Sequence, residues 1–379
     1  MPLSLYLLAV AVFAMGTSEF MLAGLLPDIA ASLDVPVGTA GLLTSAFAAG
    51  MVAGAPLMAA LARTWPRRSS LVGFLGVFLA AHVAGAVTDS FAVLFATRVL
   101  AALANAGFLA VALTAAADLV PADRKGRALA VLLAGTTVAT VVGVPGGALL
   151  GTLLDWRATF WAVALLCLPS ALGVLRGVPV GTSGARPELR GELAVLRRPR
   201  LVLVLLLGAL VNAATFSGFT FLAPIVTGVT GLGPLWIPVV LVLFGLGSFV
   251  GVTVAGRLSD HRPAVVVGAG GPLLLGGWIA LGLAADEPTA LLVLAFTQGA
   301  LSFAVGSTLI ARVLYAAADA PTMAGSYATA ALNIGATAGP VAGAATLSTG
   351  LAALGPVWAG GVLVAVALVL AVPFRRVLA

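Results

Sequence analysis

Met15-Gly16-Thr17-Ser18-Glu19-Phe20-Met21 sets a carboxylate well inside an apolar segment. From about Leu3 to Leu26 no other side chain carries a charge. A run of that length can cross a bilayer, since a spanning helix takes about 20 residues at 1.5 Å each. An ionised carboxylate is costly in hydrocarbon, so Glu19 is read first as a functional group. The competing reading is a structural Glu, neutralised by a proton or paired with an arginine. The rest of the chain has to decide between them.

Of 379 residues, 61% are hydrophobic and 8% charged, with a mean hydropathy of +1.17. Soluble domains carry roughly 25% charged residues. Breaks at charges, Pro and Gly leave spans near 4–27, 39–62, 69–88, 91–117, 128–153 and 158–176. A second set lies near 201–226, 236–257, 264–284, 290–316, 324–348 and 355–374. The expected fold class is all-α integral membrane, with twelve transmembrane helices. A β-barrel would alternate apolar and polar residues along strands of about 10, and no such alternation occurs.

The net charge of +6 does not point to nucleic acid, because the charges sit in short loops. With both termini placed in the cytoplasm, seventeen Arg and Lys fall on the inner side and only Arg157 on the outer. Arg98 falls within a span. That asymmetry predicts a multi-pass plasma-membrane protein with cytoplasmic ends. The N-terminus shows no cationic region or small-residue cleavage pattern, so the first helix is expected to be retained.

Enzyme chemistry finds little support. The single lysine, Lys125, precedes Gly126 and cannot complete a P-loop, which needs Ser or Thr there. Only His82, His261 and Cys167 are available as His or Cys ligands, so no metal or cofactor is expected. Cys167 is read as a core thiol, and His82 as a neutral, hydrogen-bonded histidine rather than a titrating one.

The chain also repeats itself. Ala116-Ala117-Asp118 with Pro121 returns as Ala317-Ala318-Asp319 with Pro321, an offset of about 200. Gly143-Val144-Pro145-Gly146-Gly147 corresponds to Gly339-Pro340-Val341-Ala342-Gly343, about 196 on. The expected organisation is a six-helix bundle over 1–176, a cytoplasmic linker over 177–200 and a second bundle over 201–379. Within the linker a surface helix around Glu188–Leu196 is a further expectation. Two parallel halves around a central site are a secondary-transporter architecture.

At several positions the sequence resembles the major facilitator superfamily, specifically its twelve-helix drug:proton antiporters. The resemblance runs along the whole chain. It is carried by Gly16-Thr17-Ser18-Glu19-Phe20 with Gly24-Leu25-Leu26-Pro27, and by Arg98 with Asn105-Ala106-Gly107. Gly143, Pro145, Gly147 and Gly151, followed by Trp156-Arg157 and Phe160, look like the antiporter motif. Within the group the chain is similar to chloramphenicol-resistance exporters of high-GC bacteria, notably over residues 60–68 and 324–333. The resemblance implies the major facilitator fold, a small drug as substrate, and alternating access driven by protons. One departure concerns the loop between spans 2 and 3, where the superfamily's Asp is Arg63 and its Gly is Pro66. The second-half copy keeps Asp260, which makes Asp260 the gate residue to expect.

Residue by residue, Glu19 lies about 12 Å inside the outer end of its span and Arg98 about 10 Å inside its own. Opposite charges at one depth favour pairing, so Glu19 and Arg98 are the proton-coupling candidates. Asn105, Asn212, Thr215, Phe216, Gln298 and Asn333 are the candidate drug contacts, since a neutral amphiphile suits amides, hydroxyls and rings. Each amide also has a bland reading, as a hydrogen bond to another helix. Phe47, Phe219 and Phe221 are further candidate lining. Arg63, Asp260, Pro145 and Pro340 are the gating candidates, the prolines because each removes a backbone donor and bends a helix. Expected partners are the drug, protons and the bilayer, with the monomer as the working unit. The runner-up function is export of sugars or other endogenous metabolites; a channel or a membrane-embedded enzyme is more distant.

Overall fold

The computed structural model describes residues 2–61, 65–121, 124–179, 194–259, 263–320 and 323–371. Among them there is no strand. The first half holds α1 (Leu3–Phe20), α2 (Val37–Leu61), α3 (Arg67–Val87), α4 (Phe91–Asp118), α5 and α6 (Trp156–Gly177). The fifth is composite: helix Lys125–Val138, a π turn Ala139–Gly143, then helix Val144–Leu153. The second half holds α7 (Pro199–Thr220), α8 (Trp236–Ser259), α9 (Pro263–Ala284), α10 (Pro288–Ala316), α11 (Ala324–Leu347) and α12 (Gly355–Ala371).

Eleven of these are long and apolar enough to cross a membrane. The twelfth, α11, has the length, at 24 residues, but Ala, Gly, Thr and Ser make it less apolar. Its position explains the composition. It is enclosed between α2 and α7, where small residues let backbones approach. A Cβ on Gly335 would sit 2.2 Å from the Ala209 carbonyl oxygen, and one on Gly339 2.3 Å from that of Ala213. Gly335, and Gly339 of the repeated motif, are therefore contact points of α11 on α7.

Helix pairing reveals the internal symmetry. In the first half α1 packs on α5 and α6, α2 on α4, and α3 on α4 and α6. In the second, α7 packs on α11 and α12, α8 on α10, and α9 on α10 and α12. Each pair returns with both numbers raised by six, as two parallel repeats require. The pairs that join the halves, α2 with α11 and α5 with α8, exchange under the same operation.

The α5–α8 seam is uneven along its length. At Gly245 a Cβ would lie 2.6 Å from the Thr140 carbonyl oxygen, so α8 touches the backbone of α5 there. Gly256, on nearly the same face three turns on, meets nothing within 4 Å. Contacts of α8 on the fifth span come from the π turn and the helix Val144–Leu153, its far-end half. Among the described residues the α5–α8 seam is thus closed at the far end and opens toward the end that carries most arginines.

At that arginine-rich end the repeated aspartates each hold an arginine. Arg67 pairs with Asp118, and Arg198 with Asp319 at 2.7 Å. These pairs are substantially exposed, so they fix positions more than they stabilise. Arg198 follows a 3-10 turn, Val195–Arg197, the described part of the expected linker helix; 188–193 lie outside the described residues. At the far end Arg157 is clasped by Asp89 (2.6 Å), Ser32 (3.0 Å) and the Thr88 carbonyl (3.2 Å), with Trp156 under its guanidinium.

Candidate functional site

The motif of the opening stretch lies where α1 loses its regular ladder. The α-helix ends at Phe20 and tightens to a 3-10 turn over Met21–Gly24. Carbonyls of a last helical turn are available to outside donors. One is used: Arg98, from α4, donates from Nη2 to the Ser18 carbonyl oxygen at 2.7 Å. Its Nη1 donates to Ser18 Oγ at 2.8 Å. Behind Ser18 stands His82 of α3, whose Nε2 is 2.7 Å from the same Oγ and whose Nδ1 is 2.8 Å from the Phe78 carbonyl oxygen. The ring of Phe47, from α2, lies under the guanidinium at 4.5 Å. Ser18, His82 and Arg98 are all buried.

Glu19 is half-buried, between the buried runs Ala14–Ser18 and Met21–Leu26. It lies within the electrostatic field of Arg98. Among the described residues its carboxylate makes no hydrogen bond and no ion pair. Arg98 is therefore beside Glu19 but bonded to its neighbour, and the direct pair that equal depth suggested is replaced by a bidentate grip on Ser18. A hydroxyl and a carbonyl on one residue match the fork of the guanidinium.

The next residue opens a second feature. Phe20 meets Phe216 at 5.7 Å and Phe219 at 6.5 Å between centroids; Phe219 meets Phe244 at 4.8 Å, and Phe244 meets Phe303 at 6.2 Å. With Thr140 and Thr215 these rings line a cavity of ≈ 10 Å³. Such a space barely admits one water. It is a partly open aromatic cage between the halves, with Phe20 and Thr140 from the first and the remainder from the second.

Of the candidate drug contacts, Thr215 and Phe216 line this cage, and so does Phe219. The amides do not. Asn212 Nδ2 donates to the Leu332 carbonyl of α11 at 2.7 Å, an interhelical strut. Asn333 bonds the Thr329 carbonyl of its own helix at 2.9 Å. Gln298 is 1% exposed and packs against Gly277 of α9. Asn105 is buried in α4. Phe221 fills the far-end seam beside Gly41 and Gly343. Pro145 follows the π turn of α5, an irregularity the sequence did not signal, whereas α11 runs through Pro340 unbroken. Arg63 and Asp260 lie outside the described residues. Phe20, Thr140, Phe244 and Phe303 are additions, because nothing in a Phe-bearing membrane helix marks a cage from a packing ring.

A strut predicts stability without function. Asn212→Ala is expected to lower the unfolding midpoint by the loss of about 0.6–1.7 kcal/mol, the range for interhelical polar bonds in bilayers. Drug affinity should be unchanged in equilibrium binding to the same preparation; a tenfold loss would return Asn212 to the site.

A membrane-embedded carboxylate beside a gripped arginine, next to a cage shared by two symmetric halves, defines a secondary transporter. The Major Facilitator Superfamily model matches residues 8–340, and the chain belongs to that family. It is a transporter, not an enzyme. It is 72% identical, over all of this chain and 97% of the other, to a chloramphenicol resistance protein of Streptomyces lividans. To the inner membrane transport protein YdhP of Escherichia coli it is 35% identical, covering 91% of this chain and 88% of that one. Among solved structures, a bacterial homolog of the human lysosomal transporter Spinster, in an inward-facing and unoccupied conformation, superposes with a TM-score of 0.73 at 16% identity, over 100% and 98% of the two chains. A peptide transporter does so with 0.80 at 15%, over 100% and 95%. These two speak to the fold alone.

Proposed function

We propose that this protein exports chloramphenicol from the cytoplasm in exchange for protons, as a monomer in the plasma membrane with both termini inside. What carries the reading is the full-length 72% identity to the Streptomyces lividans resistance protein. The arginine distribution supports the orientation. In that orientation the α5–α8 seam opens toward the cytoplasm, as in an inward-open state. Residues 1–176 and 201–379 act as the two moving bodies, joined through 177–200.

The chemistry follows from the two neighbouring features. Chloramphenicol is neutral and carries a nitrophenyl ring, which suits a cage of phenylalanine rings and threonine hydroxyls. Glu19, one residue before Phe20, releases its proton on the inner side as drug enters and regains one outside as drug leaves. Arg98 sits within reach of the carboxylate's field but leaves it unbridged, so the carboxylate is accessible to protons. Pro145 and its π turn supply the bend in α5, and Arg63 and Asp260 belong to the inner gate.

The test is growth of a drug-sensitive host expressing the gene, against chloramphenicol and a panel of unrelated antibiotics. Selective protection against chloramphenicol, lost when the proton gradient is collapsed, is expected. No protection by protein detected in the membrane would remove the substrate assignment and leave the family untouched.

A further inference from the structure

Ser18 and His82 are fixed by a donor and acceptor count that has one solution. The Phe78 carbonyl oxygen can only accept, so His82 Nδ1 carries a hydrogen and donates to it. Ser18 Oγ accepts from Arg98 Nη1. With Nε2 as an acceptor, the Ser18 hydroxyl hydrogen points at it, and the Ser18 hydroxyl and His82 Nδ1 both have partners, while Arg98 Nε, buried, makes no hydrogen bond. A second hydrogen on Nε2 would leave the Ser18 hydroxyl hydrogen without that acceptor and set a cation against a cation. The imidazole is held among apolar rings, 4.2 Å from Phe78 and 5.7 Å from Phe160. The row is therefore polarised one way: Arg98 to Ser18, Ser18 to His82, His82 to the backbone of α3.

This row decides where Arg98 points. Both terminal nitrogens are committed to one residue of α1, while the adjacent Glu19 carboxylate has none. We propose that Ser18 and His82 are positioning residues that hold the Arg98 guanidinium off Glu19, keeping the coupling carboxylate free of a direct ion pair. The inference rests on the reading of Glu19 as the coupling group. Without the hydroxyl, Nη1 loses its acceptor in a buried site, and the nearest charged acceptor is Glu19. The other groups around the site do not compete. The stretches 40–60 of α2, 202–220 of α7, 238–255 of α8 and 128–153 of α5 carry no titratable side chain, and α6 carries only Cys167 between Arg157 and Arg176 at its two ends, with Cys167 Sγ donating to the Val163 carbonyl. His82 from α3 and Arg98 from α4 complete the set.

The test is equilibrium binding of chloramphenicol to the purified full-length protein in lipid nanodiscs across pH. Ser18→Ala and His82→Phe are each expected to shift the pH at which binding is half lost toward acid by about one unit, a tenfold change in proton competition, because an adjacent cation favours the ionised carboxylate. Affinity on the alkaline plateau should match the parent protein, which also reports that the variant is folded. Ser18→Thr, which restores the hydroxyl, should bring the midpoint back. If an alanine or phenylalanine variant does not fold, His82→Asn supplies the same comparison with a smaller change. Unchanged midpoints in folded variants overturn the positioning role. Glu19→Gln separates the two ideas: if it keeps the parent pH dependence, Glu19 is not the coupling group; if it abolishes it while the Ser18 and His82 variants behave like the parent, only the positioning role is lost.

Discussion

Glu19→Gln is expected to reduce gradient-driven chloramphenicol efflux to the level of vesicles without the protein, while drug binds at all pH values with the weaker affinity of the protein whose Glu19 is protonated. The substitution keeps the size and one acceptor oxygen and removes the titratable proton. Nothing else in the structure depends on the carboxylate, since it forms no hydrogen bond or ion pair among the described residues. Folding should therefore survive, in contrast to removal of one partner of a buried pair, which costs about 3–5 kcal/mol. Counterflow at saturating drug across membranes with no proton gradient should persist, because exchange of drug for drug needs alternating access but no proton. The two assays together decide the matter. Active efflux that survives in the variant would mean that Glu19 only fastens α1, and loss of counterflow would mean that it also shapes the drug site.

The same substitution shows why part of the site could be read from sequence and part could not. A charge in a bilayer is rare and expensive, so Glu19 and Arg98 stand out against an apolar background without any structural information. Span positions are legible for the same reason; the first was expected near 4–27 and runs over Leu3–Gly24. Ser18 is not legible. Hydroxyls in membrane helices usually bond a carbonyl of their own helix, as Thr215 does to Val211, and only the fold reveals that Ser18 instead faces α3 and α4. Among the amides Asn212 follows its bland reading, tying α7 to α11, whereas Asn333 bonds its own helix. Phe20, Phe244 and Phe303 sit on three helices whose convergence depends on how the halves close, and one-dimensional pattern carries no trace of that. The symmetry was legible only as motif offsets near 196 to 200, which the pairing of helices six apart explains.

Phe219→Ala is expected to weaken chloramphenicol binding about 10- to 100-fold at every pH, without moving the pH at which binding is half lost. Phe219 is the hub of the cage: its ring meets those of Phe20, Phe216 and Phe244 at 6.5, 6.2 and 4.8 Å. An aromatic pair contributes about 0.5–1.5 kcal/mol beyond its buried area, and area lost from one face of a drug adds to that, which reaches one to two orders of magnitude in affinity. The space between the rings is ≈ 10 Å³, whereas a drug-sized pocket is about 300 Å³ or more, so the rings must separate for drug to sit among them. Truncating the hub removes part of that cost as well as part of the contact. The variant should consequently bind more weakly but associate faster, a combination that stopped-flow measurement resolves and that simple misfolding does not produce. Phe219→Leu, which keeps apolar bulk without the ring, should fall between the two proteins. Parent affinity in Phe219→Ala would move the drug away from the cage, to a surface exposed only when the halves are apart.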